Sequence, residues 1–111
     1  MAPAVLKSQS KTLVIGGSGG GMITTALSSA LMNHLWFRKS LKEAIDTPIV
    51  YVDSENKLRL ESKLEKDVVD NLEAKGHEIV KFYNTVNAVE KVDSCISAWS
   101  DERKKGKAAG Y

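Results

Sequence analysis

Five of the eight glycines in this 111-residue chain stand at Gly16, Gly17, Gly19, Gly20 and Gly21, and their flanks constrain what can form around them. Thr12-Leu13-Val14-Ile15 on one side is a short β-branched apolar run that reads as a buried strand. On the other side Ile23, Ala26, Leu27, Ala30, Leu31, His34 and Leu35 recur at helical spacing, predicting a helix over residues 22–38. Glycines between a strand and a helix bring bare backbone N–H groups close to a ligand, beside the positive end of the helix. The natural guest is an anion, either a phosphate or the oxyanion of a tetrahedral acyl-transfer intermediate.

Motif spacing separates these guests. A phosphate-binding P-loop requires Lys and then Ser/Thr after its last glycine, whereas Met22 and Ile23 follow Gly21. A dinucleotide fingerprint beginning at Gly17-Ser18-Gly19 requires a third glycine where Met22 stands. Gly16-Gly17-Ser18-Gly19-Gly20 does match G-x-S-x-G, which would make Ser18 a nucleophile, with Asp53 or Asp70 and then His77 completing a triad. A run of glycines around one serine meets that pattern by composition, and a nucleophile elbow needs an earlier loop that one preceding strand does not provide. A glycine turn that only lets strand and helix pack closely is the bland alternative.

Beyond the helix, Ser40 and Glu43 form a capping box for a short helix over 41–45. Pro48 opens an extended stretch in which 49–52 and 58–60 read as strands around the turn-prone Asp53-Ser54-Glu55-Asn56, a hairpin. Leu64, Val68, Val69 and Leu72 mark an amphipathic helix ending at Gly76. The period then becomes two, giving strands over 79–82, 85–92 and 95–99. The order β-α-α-β-β-α-β-β-β predicts a mixed α+β fold, with helices over one sheet face. Length and composition fit one globular unit. A lone Cys95 excludes an internal disulfide, no Cys/His cluster offers a zinc site, and a net charge of +2 points to no nucleic acid. No run approaches the roughly 18 apolar residues of a membrane span, and the start is too short an apolar run for a secretory signal.

Four blocks carry a family resemblance: Val14-Ile15-Gly16-Gly17-Ser18-Gly19-Gly20 with Ile23-Thr24-Thr25-Ala26; Leu35-Trp36-Phe37; Ala44-Ile45-Asp46-Thr47-Pro48; and Ser100-Asp101-Glu102-Arg103-Lys104-Lys105-Gly106 closing in Ala109-Gly110-Tyr111. In these the chain resembles the C-terminal part of the small subunit of gamma-glutamyltransferases, also called glutathione hydrolases. The resemblance covers residues 12–111, while 1–11 carry no matching motif. Pro48-Ile49-Val50-Tyr51-Val52 and 82–89 are more similar to the type-5 branch, associated with leukotriene C4 as well as glutathione.

The resemblance implies an N-terminal-nucleophile hydrolase, an αββα sandwich made by self-cleavage of a precursor into large and small subunits. Its new N-terminal Thr attacks the gamma-glutamyl carbonyl, and water, an amino acid or a dipeptide resolves the acyl-enzyme. Carried over, the oxyanion-hole glycines are Gly19 and Gly20, which also touch substrate, and Ser18 is a loop residue. No cofactor and no metal is implied. The nucleophile, the residues that hold the glutamate amino group and the large subunit lie outside this chain, so its implied partners are that subunit, the rest of the small one, and glutathione or its conjugates. Thr12, Thr24 and Thr25 do not replace the nucleophile, since none offers an N-terminal amine. The implied setting of the parent is the extracellular face of the plasma membrane. The chain alone is expected to be inactive and to depend on a partner for solubility; the alternative is a non-catalytic, partner-binding paralogue.

For the remaining residues the structural expectation dominates. His34 is read as a packed, hydrogen-bonded histidine and His77 as an exposed one. Trp99 and Cys95 are read as buried, Trp36 and Phe37 as core or subunit-contact residues, and Lys104, Lys105 and Lys107 as a solvated tail.

Overall fold

The run Thr12-Leu13-Val14-Ile15 is the centre of a longer strand. In the computed structural model, which describes residues 2–82 and 84–110, it lies within β2 (Lys11–Ser18). The strand runs on because Gly16 and Gly17 keep the ladder, facing Asn87 and Val86 of β6 (Thr85–Val92). Residues 1–11 received no element from the sequence, yet Ala2–Lys7 form β1, antiparallel to β2. Its apolar residues do not alternate with polar ones, and Pro3 argues against a central strand, but an edge strand accommodates proline. The fourth strand, β7 (Cys95–Trp99), closes a hairpin with β6 at Asp93, whose φ is 54°, and the sheet order is β1-β2-β6-β7, antiparallel throughout.

Alternation gives this sheet two different faces. Leu13 and Ile15 of β2, with Val86 and Ala88 of β6, are buried beneath α1 (Ile23–Leu35) and α2 (Leu41–Asp46), which contribute Ala26, Ala30, Leu41, Ala44 and Ile45 to the same core. On the other face the register aligns Val5, Val14, Val89 and Ala98 in one row across all four strands. The three valines of that row are exposed.

The capping box on α2 is present: Ser40 Oγ accepts from Glu43 N–H and Glu43 accepts from Ser40 N–H. The first helix is shorter than its spacing predicts. It starts at Ile23 after a 3₁₀ turn over Gly20–Met22 and stops at Leu35, where Phe37 and Trp36 N–H both turn back to Met32 O. Two burial expectations fail. Cys95 is exposed and Trp99 is 40% exposed, because β7 is the edge strand of its sheet. Lys42 covers the Trp99 ring, its Nζ 5.6 Å from the centroid.

The structure divides into two compact units where composition suggests one: Met1–Thr47 with Asn84–Tyr111, described above, and Pro48–Tyr83. The second has its own sheet of β3 (Val50–Val52), β4 (Leu58–Leu60) and β5 (Ile79–Lys81), in that order. β3 and β4 form the expected antiparallel hairpin, and β5 pairs parallel to β4 after a crossover through α3 (Lys66–Ala74). In the hairpin turn the Asp53 carboxylate accepts from the N–H groups of Lys57 and Glu55 and from Arg59 Nε. The Lys57 amide and the Arg59 guanidinium hold that carboxyl below the usual carboxylate range. Leu58 and Leu60 are buried, and Gly76 ends α3 with φ 92°.

Candidate active site

The glycine turn emerges from the end of β2, and its backbone takes conformations that L side chains rarely adopt. Gly19 has φ 135° and Gly20 φ 63°. A Cβ at Gly19 would stand 2.6 Å from Asn84 Cβ, whereas one at Gly20 would meet nothing within 4 Å. Met22 N–H closes the turn onto Gly19 O at 3.3 Å. The N–H groups of Gly20 and Gly21 open this turn and have no partner within it. Gly19, Gly20 and Gly21 are all exposed, and α1 follows directly, so the turn presents donors at the positive end of a 13-residue helix.

Ser18 does not behave as a triad nucleophile. Its hydroxyl shares a hydrogen bond with Thr85 Oγ1 and accepts from Lys104 Nζ at 3.4 Å. Asp53 is occupied in its own hairpin, Asp70 is exposed on α3, and His77 is exposed. Within its own unit the structure joins Ser18 to Thr85 and Lys104. Lys104 touches the site and is more than a solvated tail.

The Ser100-Asp101-Glu102-Arg103 motif braces β6, the strand paired with the one that carries this turn. Asp101 is 2% exposed and accepts from Val86 N–H at 2.7 Å, Arg103 N–H at 2.9 Å and Arg103 Nη1 at 2.9 Å. The same guanidinium donates to Ile45 O and Thr47 O, joining the C-terminal 3₁₀ turn (Glu102–Lys104) to the end of α2. Ser100 Oγ and Asp101 N–H both donate to Asn87 Oδ1. Val86 and Asn87 are the register partners of Gly17 and Gly16, so the C-terminal motif fixes β6 and through it the base of the glycine turn. The closing Tyr111, and Tyr83 of the type-5 block, lie outside the described residues.

At the far end of α1, His34 sits between two acceptors, the Lys39 carbonyl at 2.8 Å and the Glu90 carboxylate, which Lys11 also approaches at 3.1 Å. It is packed and hydrogen-bonded, as its place in the helical stripe implies. Burial pushes the Glu90 carboxyl upward, but hydrogen bonds from His34 and Lys11 outweigh it and hold the group below the usual carboxylate range. Trp36 and Phe37, by contrast, are 71% and 69% exposed, which removes them from the core.

Sequence reasoning missed Asn84 and Thr85. Alternation located the strand they begin, but only the register, which sets Ser18 opposite Thr85, brings Asn84 beside Gly19.

A four-stranded antiparallel sheet, helices on one face, an uncovered apolar row on the other, and a glycine turn at a strand end make half of the αββα layering of the N-terminal-nucleophile hydrolases. Solved structures of that class match it. The transpeptidase CapD of Bacillus anthracis superposes with a TM-score of 0.83 at 28% identity, over 100% of this chain and 70% of that one. An acivicin-inhibited gamma-glutamyltranspeptidase, whose C-terminus is reported to have critical roles in autoprocessing and catalysis, gives 0.80 at 28% identity over 96% of this chain and 61% of that one. The gamma-glutamyltranspeptidase family description matches residues 1–111, and the chain belongs to that family. Its type-5 likeness also holds: the glutathione hydrolase 5 proenzyme of Mus musculus is 40% identical over 118 aligned residues, covering 100% of this chain and 21% of that protein. The chain therefore spans about a fifth of the length of the curated relatives it matches. Among the described residues no helix is long and apolar enough to cross a membrane.

Proposed function

We propose that this chain is the oxyanion-stabilising part of a glutathione hydrolase that cleaves the gamma-glutamyl bond of glutathione and its conjugates, leukotriene C4 among them. The exposed turn at Gly19 and Gly20 carries this reading. Its backbone donors stand ready without side chains in the way, at the end of a braced strand and the start of a helix. The N-terminal threonine of the processed small subunit, supplied from outside this chain, adds to the gamma carbonyl and passes its proton to its own amine. The carbonyl oxygen takes up the negative charge, and the Gly19 and Gly20 N–H groups receive it. Collapse expels the amine leaving group with that proton and leaves a gamma-glutamyl ester, which water, an amino acid or a dipeptide then resolves. Donors fixed before the charge forms need no reorganisation as it forms, and losing one such donor typically costs about 10²–10³ in rate.

The valine row favours the same division of labour. A sheet face with Val5, Val14 and Val89 exposed suits cover by a second sheet, and the rest of the precursor, including the large subunit, is its proposed source. On this reading the parent acts at the extracellular face of the plasma membrane. An inactive partner-binding paralogue would use that row equally well but has no need of the glycine donors. Release of p-nitroaniline from gamma-glutamyl-p-nitroanilide tests the reading. The full precursor carrying this chain is expected to turn over, Gly19→Val in it is expected not to, and the isolated chain is expected to be silent. Turnover by the isolated chain, or a Gly19→Val precursor as active as its parent, would overturn it.

A further inference from the structure

Asn84 is 2% exposed, immediately precedes β6, and packs directly on Gly19. Its Nδ2 donates to Met22 O at 3.2 Å, the carbonyl at the end of the 3₁₀ turn that Gly20 begins. Met22 N–H holds the turn from within by bonding Gly19 O, so the amide of Asn84 holds it from outside at the opposite end. The Met22 carbonyl can only accept, which orients the amide and leaves Asn84 Oδ1 buried without a hydrogen-bond partner. A buried acceptor left bare is a cost, and an apolar residue of similar size would avoid it. What an apolar residue would not supply is the donor to Met22.

The support behind Asn84 is rigid. The next residue, Thr85, bonds Ser18 across the β2–β6 ladder, and the one after, Val86, is held through its N–H by Asp101. Gly19 and Gly20 have no Cβ and lie at positive φ, so little in their own covalent structure fixes the direction of their N–H groups. Asn84 fixes it from outside, by contact on one side of the turn and by a hydrogen bond on the other.

We propose that Asn84 is a positioning residue that aims the Gly19 and Gly20 N–H groups, acting through the turn and without touching substrate. The proposal rests on the oxyanion-hole reading of those glycines. Asn84→Asp keeps the size and removes the donor, because a carboxylate accepts only.

The test uses the mature enzyme processed from the full precursor. For Asn84→Asp, kcat for gamma-glutamyl-p-nitroanilide is expected to fall ten-fold or more, with KM within three-fold of the parent. A gamma-boronic analogue of glutamate, whose tetrahedral anion takes the place of the oxyanion, is expected to weaken by the same factor as kcat/KM. Inhibition by glutamate, the product, is expected to stay unchanged. A merely structural role would weaken both inhibitors together. Asn84→Ser retains a hydroxyl donor and is expected to fall between the two; it carries the test if Asn84→Asp fails to mature. Parental kcat in either mature variant, or equal loss of boronate and glutamate affinity, would overturn the proposal. An inactive parent enzyme would instead overturn the oxyanion-hole reading itself.

Discussion

Replacing Asp101 by alanine strikes the brace beneath the glycine turn. The residue is 2% exposed and its carboxylate receives three hydrogen bonds, from Val86 N–H, Arg103 N–H and Arg103 Nη1. Asp101→Ala leaves the Val86 N–H without the carboxylate it donates to in a place where Val86 is 1% exposed, and it removes the carboxylate 2.9 Å from the Arg103 guanidinium, which is 7% exposed. Removing one partner of a buried ion pair costs about 3–5 kcal/mol. A domain of this length has roughly 0.05–0.15 kcal/mol of stability per residue, so the loss is a large share of the whole. Urea unfolding followed by the fluorescence of Trp36 and Trp99, the two tryptophans, reads it directly. With a urea dependence of about 1–3 kcal/mol per molar, the midpoint is expected to drop by about 2 M. Arg103→Ala removes the same pair from the other side, so the double variant is expected to fall short of the sum of the singles by at least about 1 kcal/mol. A loss below about 1 kcal/mol for Asp101→Ala, or strict additivity, would refute the view that this motif is a buried brace.

Alanine along the glycine turn is expected to destabilise in the order Gly19, Gly20, Gly21. At Gly19 a positive φ combines with overlap on Asn84 for a loss of about 2–3 kcal/mol, at Gly20 the left-handed backbone alone costs about 1 kcal/mol, and Gly21 is open; thermal melts of the three variants give the ranking. The Glu90 carboxyl is held low in the folded state, so its stabilisation is present above an unfolded value of about 4.3 and lost as the pH falls through the lower native one. Glu90→Gln is therefore expected to flatten the acid limb of a stability-against-pH curve, and an unchanged limb would count against the His34–Glu90–Lys11 cluster. Val14→Lys, on the uncovered row and 43% exposed, is expected to leave far-ultraviolet circular dichroism intact while preventing co-purification with the remainder of the precursor.

Local chemistry carried much of this fold into view. The glycine turn, the Ser40 capping box, the Asp53 hairpin and the alternation in β6 each depend on residues close in sequence, and each stands where those residues place it. What depended on distant partners stayed hidden. β1 has no pattern of its own and becomes a strand only because β2 offers it a ladder. Trp99 and Cys95 looked buried from their apolar neighbours, but burial follows from a strand's place in the sheet, and β7 is at the edge. At the candidate site the turn itself was legible from five clustered glycines, while the choice of Gly19 and Gly20 within it rests on the family resemblance. Asn84 was not, because its place beside Gly19 is set by strand register across the sheet.

The pairing of β2 with β6 also governs how the chain reaches its fold. Ser18 and Thr85 are 67 positions apart, whereas β1 with β2 and β6 with β7 are local hairpins. Closing a loop of that length costs about 4 kcal/mol of chain entropy before the central ladder returns anything. The two hairpins are therefore expected to form early and the ladder between them late, with all of Pro48–Tyr83 synthesised in the interval. The glycine turn and Asn84 lie on opposite sides of that last seam, so the site is assembled only in the slowest step.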